Sequence, residues 1–286
     1  MEHAPQHVSD TICRSCGDTH QQRFCPQCGE KRFDPASLRI SHFFEEALEG
    51  LFHFDNKFLR SVKTLFSRPG QLGLDRVEGR TVRNVRPFQL FLIVNLIIFV
   101  LPFVNPFSLP LYNYITYPPF IHYHTVEAVN ARIAADGTTM AAFEKVFDHS
   151  MHGVSKSLLV LFIPMNAFFF GLCFVNLRRR LLEHVVFATY YLTFVLLAFL
   201  LIMVFYLALG DVLGRMGVAE PAWFDNLLST ILSVSFIRWL YLAIRRFYRP
   251  HLAQAIGVAV LVGGSFFYLL QVYRMLLFHV VMHYAI

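Results

Sequence analysis

Four of the five cysteines stand in two pairs near the amino terminus, Cys13-Arg-Ser-Cys16-Gly and Cys25-Pro-Gln-Cys28-Gly. In each pair a tight turn points two thiols at one centre, and the Gly that follows takes up a backbone conformation other residues resist. Two such knuckles supply four sulfurs, the ligand set of a closed tetrahedral zinc site, so Cys13, Cys16, Cys25 and Cys28 are expected to hold zinc. Iron in a rubredoxin-like site uses similar ligands. Zinc is preferred because a closed four-sulfur site suits it and nothing in the chain suggests electron transfer. Disulfides require an oxidising compartment, and a redox Cys-x-x-Cys normally comes singly on a βαβ unit. A closed site is structural and is no sign of catalysis. Eight residues separate Cys16 from Cys25, so the module is a minimal ribbon, and metal binding would supply folding energy of order 10 kcal/mol. Cys173 lies alone in an apolar run and reads as a small buried side chain.

Other groups carry weaker chemistry. His149 and His152 are spaced i, i+3, and His279 and His283 i, i+4, so each pair shares a helix face and could contribute to a metal site on the outer side. Histidines also scatter over amphipathic interfaces without a ligand. Asn95 and Arg238 fall inside apolar runs, where a polar side chain needs a partner or must snorkel to an interface, and they mark a possible intramembrane polar site. Arg274 reads similarly. The chain has no Gly-rich phosphate loop, no Ser nucleophile elbow and no His-Glu-x-x-His, and no carboxylate pair at membrane depth.

Of the whole chain, 56% is hydrophobic and 15% charged, with 31 Phe, against usual values of about 45–50% and about 25%. Apolar runs long enough for a ~30 Å hydrocarbon core recur. The fold class is therefore an all-α polytopic membrane protein with about five transmembrane helices and a small amino-terminal zinc ribbon. The expected spans are 88–104, 158–177, 185–209, 227–244 and 252–273. Residues 1–37 form the ribbon, 38–87 cytoplasmic amphipathic helices and a basic hinge, and 88–286 the transmembrane domain with an outer loop at 105–157. Two helices are expected in 38–67, one striped by Leu38, Phe44, Leu48, Leu51 and Phe52, the other by Phe58, Leu59, Val62, Leu65 and Phe66. They lie in the interface or dock on the bundle. Pro69-Gly70 ends the second, and Pro87 suits the first turn of the first span. Pro164 should kink the second span. The loop opens with an aromatic-belt stretch, residues 105–124, followed by short helices near 126–135 and 139–148, broken at Gly137. After residue 252 the apolar pattern runs to Ile286, as one tilted helix or one broken at Gly263-Gly264.

Charge sets the orientation. Thirteen of the 25 Lys and Arg fall in residues 1–87. Arg178, Arg179 and Arg180 follow the second span, and Arg245, Arg246 and Arg249 the fourth. The loop 105–157 holds Arg132, Lys145 and Lys156, and 210–226 holds Arg215. By the positive-inside rule the ribbon is cytoplasmic and the carboxy terminus outside, in a bacterial inner membrane. This also explains the net charge of +6 without nucleic acid, for which the ribbon lacks a dense basic and aromatic surface. No signal peptide is expected, since the first 37 residues are polar. Arg68, Arg76, Arg80, Arg83 and Arg86 form a collar at the hinge, a topology signal that also suits anionic lipid headgroups.

The pattern Cys13-x-x-Cys16-Gly, Phe24-Cys25-x-x-Cys28-Gly-Glu30-Lys31, Arg68-Pro69-Gly70, Glu78-Gly79-Arg80, Arg83 and Pro87-Phe88 resembles the bacterial membrane proteins catalogued as domain of unknown function 3667. Glu183-His184, Phe187-Ala188 and Arg245-Arg246-Phe247-Tyr248 extend the resemblance. It implies a ribbon on a multi-pass helical domain and no reaction. The expected role is an adaptor or scaffold that recruits a cytoplasmic protein to the bilayer. The alternatives are a small transporter or lipid-handling protein, suggested by Pro164, Gly263-Gly264, Asn95 and Arg238, and a metal-dependent membrane enzyme using the outer histidines.

Overall fold

The structure, a computed structural model, describes residues 11–33, 56–101, 107–116, 122–216 and 223–285. The helix expected over 38–52 lies outside them. The amino-terminal unit is a ribbon. β1 (Thr11–Ile12) pairs antiparallel with β2 (Thr19–His20), Thr11 opposite His20, and an isolated bridge joins Phe24 to Lys31.

Helices follow: α1 (Asn56–Ser67), α2 (Gln71–Val77), α3 (Pro87–Val100), α4 (Leu111–Thr116), α5 (His122–Asp136), α6 (Met140–Ser157), α7 (Phe162–Cys173), α8 (Leu181–Met216), α9 (Phe224–Phe247) and α10 (Leu252–Val280). Four continuous helical stretches are long and apolar enough to cross a bilayer: Met140–Cys173, Leu181–Leu213, Phe224–Phe247 and Leu252–Tyr284. The chain is thus a multi-pass membrane protein. The expected span 88–104 is α3, which is apolar but has 14 residues, about 21 Å at 1.5 Å per residue. Proline explains the early stop. Leu101 precedes Pro102 and is extended, as a residue before proline tends to be.

Two further expectations on the spans are refined. The second does not begin at 158. Its apolar face continues backward through Met151, Phe147 and Phe143, all buried, so α6 runs into it. Over Leu158–Leu161 the helix tightens to 3-10 geometry, where Pro164 has no N–H to give the Val160 carbonyl. In the last stretch, α10 runs unbroken through Gly263-Gly264. A Cβ at Gly263 would lie 3.1 Å from Ile237, so this glycine serves close packing against α9. Within the aromatic stretch after α3, Phe107 and Tyr114 are buried rather than set in a belt. The Tyr114 hydroxyl donates to the Arg274 carbonyl at 3.0 Å, while Tyr112 is exposed. The helix expected near 126–135 is α5 (His122–Asp136), the one expected near 139–148 begins at Met140 but continues to Ser157, and Gly137 at φ +60° lies between them.

The core is aromatic. Phe91, Phe162, Phe170 and Tyr191 are fully buried, and Phe170 meets Phe187 edge-on at 4.8 Å and Tyr191 at 5.5 Å. At the far end of α3, the buried Lys156 ammonium donates to the carbonyls of Phe99 (3.3 Å) and Leu101 (2.9 Å). A cation thereby answers carbonyls that the helix leaves without an intrahelical partner.

The residues 56–77 dock on the bundle. In α1, Leu65 is buried, Phe66 meets Phe194 at 5.1 Å, and Leu59 turns outward. The buried Ser61 hydroxyl accepts the Val85 N–H at 2.9 Å. The Trp239 indole donates to the Leu65 carbonyl at 2.9 Å, and Arg246 to that of Pro69 at 2.8 Å. Gly70, at φ +78°, backs onto α9 so closely that a Cβ would sit 2.5 Å from the Ala243 carbonyl oxygen. We expect Gly70→Ala to cost at least the ~1–3 kcal/mol of a strained backbone position, plus displacement of the hinge. Gly137→Ala has a similar φ and open space around it, so its melting temperature in detergent should fall less. Equal losses would refute the close-contact argument.

Candidate metal centre and its anchorage

The two knuckles fold alike. In the first, the Cys13 N–H donates to the Asp18 carbonyl (2.7 Å) and the Gly17 N–H to that of Cys13 (2.9 Å). In the second, Cys25 bonds to Glu30 and Gly29 to Cys25, both at 2.8 Å. Gly17 and Gly29 sit at φ +82° and +73°, where a side chain would be strained. The turns bring the four sulfurs within 4.8 Å of one another. Cys13 and Cys28 are 3.5 Å apart, as are Cys16 and Cys25. A disulfide needs about 2.05 Å, whereas ligands ~2.3 Å from a tetrahedral ion are about 3.8 Å apart. The donor set and its spacing fit a metal ion.

The electrostatics agree. Burial resists charge on Cys13, but the N–H groups of Cys16 and Ser15 and the thiols of Cys28 and Cys16 outweigh it and bring the thiol down to about 6. The Glu30 N–H favours a Cys28 thiolate, yet burial and the three neighbouring sulfurs push it up to about 12. Burial likewise raises Cys25. One thiolate forms readily and its neighbours resist sharing the negative charge. A divalent cation relieves that repulsion, which is why four thiolates and a metal form together.

The anchorage centres on Glu30. Its carboxylate is buried, 4% exposed. It accepts the Ser15 hydroxyl at 2.6 Å from the first knuckle, and from the hinge the Thr81 hydroxyl (2.7 Å) and the N–H groups of Thr81 (2.8 Å) and Val82 (3.1 Å). Burial opposes the charge, but these donors hold the carboxyl below its ordinary range. Beside it, Arg14 donates to the Glu78 carbonyl at 3.0 Å and lies 3.9 Å over the Phe33 ring. Phe33 in turn packs against Gly79, at φ +78°, where a Cβ would meet the ring at 2.4 Å. The sequence places Glu30 just after the second knuckle and assigns it no role of its own. The available signal was its register. Glu30 and Asp18 both stand five residues after the first cysteine of a knuckle.

The other expected residues scatter. Arg80 is turned inward to Asp75 (2.8 Å) and Glu78 (2.5 Å), so it braces the hinge rather than serving a collar. Arg76 and Arg86 are half-buried, and Arg68 and Arg83 are exposed. Asn95 donates to the Lys156 carbonyl at 3.4 Å, while Arg238 lines a different groove beside Phe66 and Trp239. They do not form one polar site. Among the described residues the four cysteines are the group of three or more potential ligands placed to hold an ion. His149, His152, His279 and His283 form no such group.

Residues 55–99, spanning α1, α2, the hinge and most of α3, match the model of a family described as a protein of unknown function (DUF3667). No curated protein and no solved structure matches the chain.

Glu30→Gln removes the charge and keeps the shape. Hydrogen bonds to a charged group contribute about 1.5–3 kcal/mol each, so amide exchange at Thr81 and Val82 should quicken by roughly tenfold or more, with bound metal retained. Unchanged exchange would sink the anchoring role. The pH dependence has a definite sign. Because docking lowers the Glu30 pKa, its stabilisation is complete above the ordinary glutamate value of about 4.3 and is lost as pH falls through the lowered value. Exchange at Thr81 and Val82 should show this acid dependence in the wild type and lose it in Glu30→Gln, which keeps the same four thiols as an internal control.

Proposed function

We propose that this protein is a member of that family and an adaptor or scaffold of a bacterial inner membrane, whose structural zinc ribbon recruits a cytoplasmic protein partner to the bilayer. The carrying observation is the way the ribbon is held. Glu30 and Arg14 fix one side of it to the hinge, while Ile12 and Phe24 stand 68% and 51% exposed. Exposed apolar side chains on a positioned unit, with Arg23 beside Phe24, suit a protein partner better than solvent.

Orientation supports the same reading. The hinge, the loop after α7 and the loop after α9 meet at one end, through Arg246 on Pro69, Arg249 on Glu78 (3.4 Å) and Gln254 on the Cys173 carbonyl (3.1 Å). Arg178, Arg179 and Arg180 belong to that same end. A shared basic end is what the positive-inside rule assigns to the cytoplasm. The transporter and enzyme alternatives have less behind them, since Asn95 bonds to Lys156 while Arg238 lines a groove elsewhere, and among the described residues the outer histidines form no group of three or more ligands.

Elemental analysis of the purified chain should find about one zinc per molecule, lost in Cys13→Ser/Cys25→Ser; iron or no metal would refute the zinc assignment. In-cell crosslinking should lose its partners in Ile12→Asp/Phe24→Asp while the protein remains inserted and metal-loaded. Identical partner sets from wild type and variant would end the recruiting role.

A further inference from the structure

Beyond the ribbon, one groove on the bundle's outer wall combines apolar walls with an unanswered cation. It lies where α8 and α9 diverge. The two helices touch through Phe194, stacked on Trp239 at 3.6 Å and meeting Phe236 at 6.3 Å. Beside this contact the seam opens into a cavity of about 470 Å³, within the ~300–1,000 Å³ of small-ligand sites.

The groove has a polar part and an apolar part. Ser67 and Pro69, at the end of α1, close it on the hinge side, and Leu201, Ile202 and Leu232 line it deeper along the helices. Between them Ser235 and Arg238, spaced i, i+3, face the groove from α9. Both are exposed, and among the described residues neither side chain makes a hydrogen bond or ion pair. Arg238 is nine residues from the end of α9 at Phe247, ~13.5 Å along the axis, and a snorkelling guanidinium shortens that distance toward the hinge. Trp239 bonded to Leu65 fixes its height beside the last turn of α1.

We propose that this groove binds one anionic phospholipid, with its phosphate on the Arg238 guanidinium and Ser235 hydroxyl and an acyl chain along Leu201, Ile202 and Leu232. A charge in apolar surroundings demands a counter-charge, and a guanidinium fits the geometry of phosphate oxygens. A lipid brings that anion to this depth together with a chain that fills the apolar part. The site is independent of the ribbon and of any partner it recruits.

The test is native mass spectrometry of the full-length protein in detergent, titrated with phosphatidylglycerol and with phosphatidylcholine of identical chains. Wild type should retain phosphatidylglycerol about fivefold better, the weight of one basic residue at an anionic surface. Arg238→Gln should bring the two lipids to parity, and Ser235→Ala should fall between. Leu232→Trp, which obstructs the apolar part and keeps the charge, should lower occupancy by both lipids. No preference in the wild type overturns the proposal without any variant. So does a preference that survives Arg238→Gln but disappears in Arg68→Gln/Arg83→Gln, which would assign it to the hinge. Millimolar inorganic phosphate should not displace the lipid; displacement would mean a free-anion site and overturn the lipid assignment.

Discussion

A buried carboxylate can keep its charge only where enough donors surround it. Glu30 meets that condition by taking one donor from its own ribbon and three from the hinge. Neither part satisfies it alone. The metal knuckles create the position, since Glu30 closes the second turn through its own carbonyl, and the hinge supplies the amides. The fold of the ribbon and its attachment to the membrane domain are therefore coupled through one side chain.

From that carboxylate the restraint passes inward along short steps. Val85, three residues beyond Val82, gives its N–H to Ser61 and takes the Tyr190 hydroxyl at 3.1 Å on its carbonyl. Ser61 belongs to the docked α1 and Tyr190 to the membrane-spanning α8. Gly70 and Gly73 let the intervening turn lie directly on α9, where Ala243 and Phe247 leave no room for a side chain. The hinge is thus a packed junction between the ribbon and two membrane helices, and the basic end of the molecule is built around it.

The parts legible in the sequence were those with a local signature. Two Cys-x-x-Cys-Gly turns specify a four-sulfur cluster regardless of what surrounds them, and apolar runs specify membrane helices. What stayed hidden depends on distant residues. Glu30 meets Thr81 fifty-one positions away, and no spacing rule links them. Arg80 looked like its neighbouring arginines, but Asp75 and Glu78 within the same turn claim it. Asn95 and Arg238 were grouped because both are polar in apolar runs; only the packing shows that one faces Lys156 and the other the outer wall. Counting apolar residues through Pro102 overstates the length of α3, whose helix ends at Val100 with Leu101 extended.

The short α3 has a mechanical consequence. As helix it covers about 9 Å less than the thickness of a ~30 Å core, while the other apolar stretches run on as helices of 24 to 34 residues. Leu96, Phe99 and Val100 at that end are exposed to the surroundings, and Lys156 sits behind them. Where lipid meets this face at the helix end, a leaflet that thins toward the Lys156 ammonium costs a fraction of a kcal/mol per ångström of mismatch.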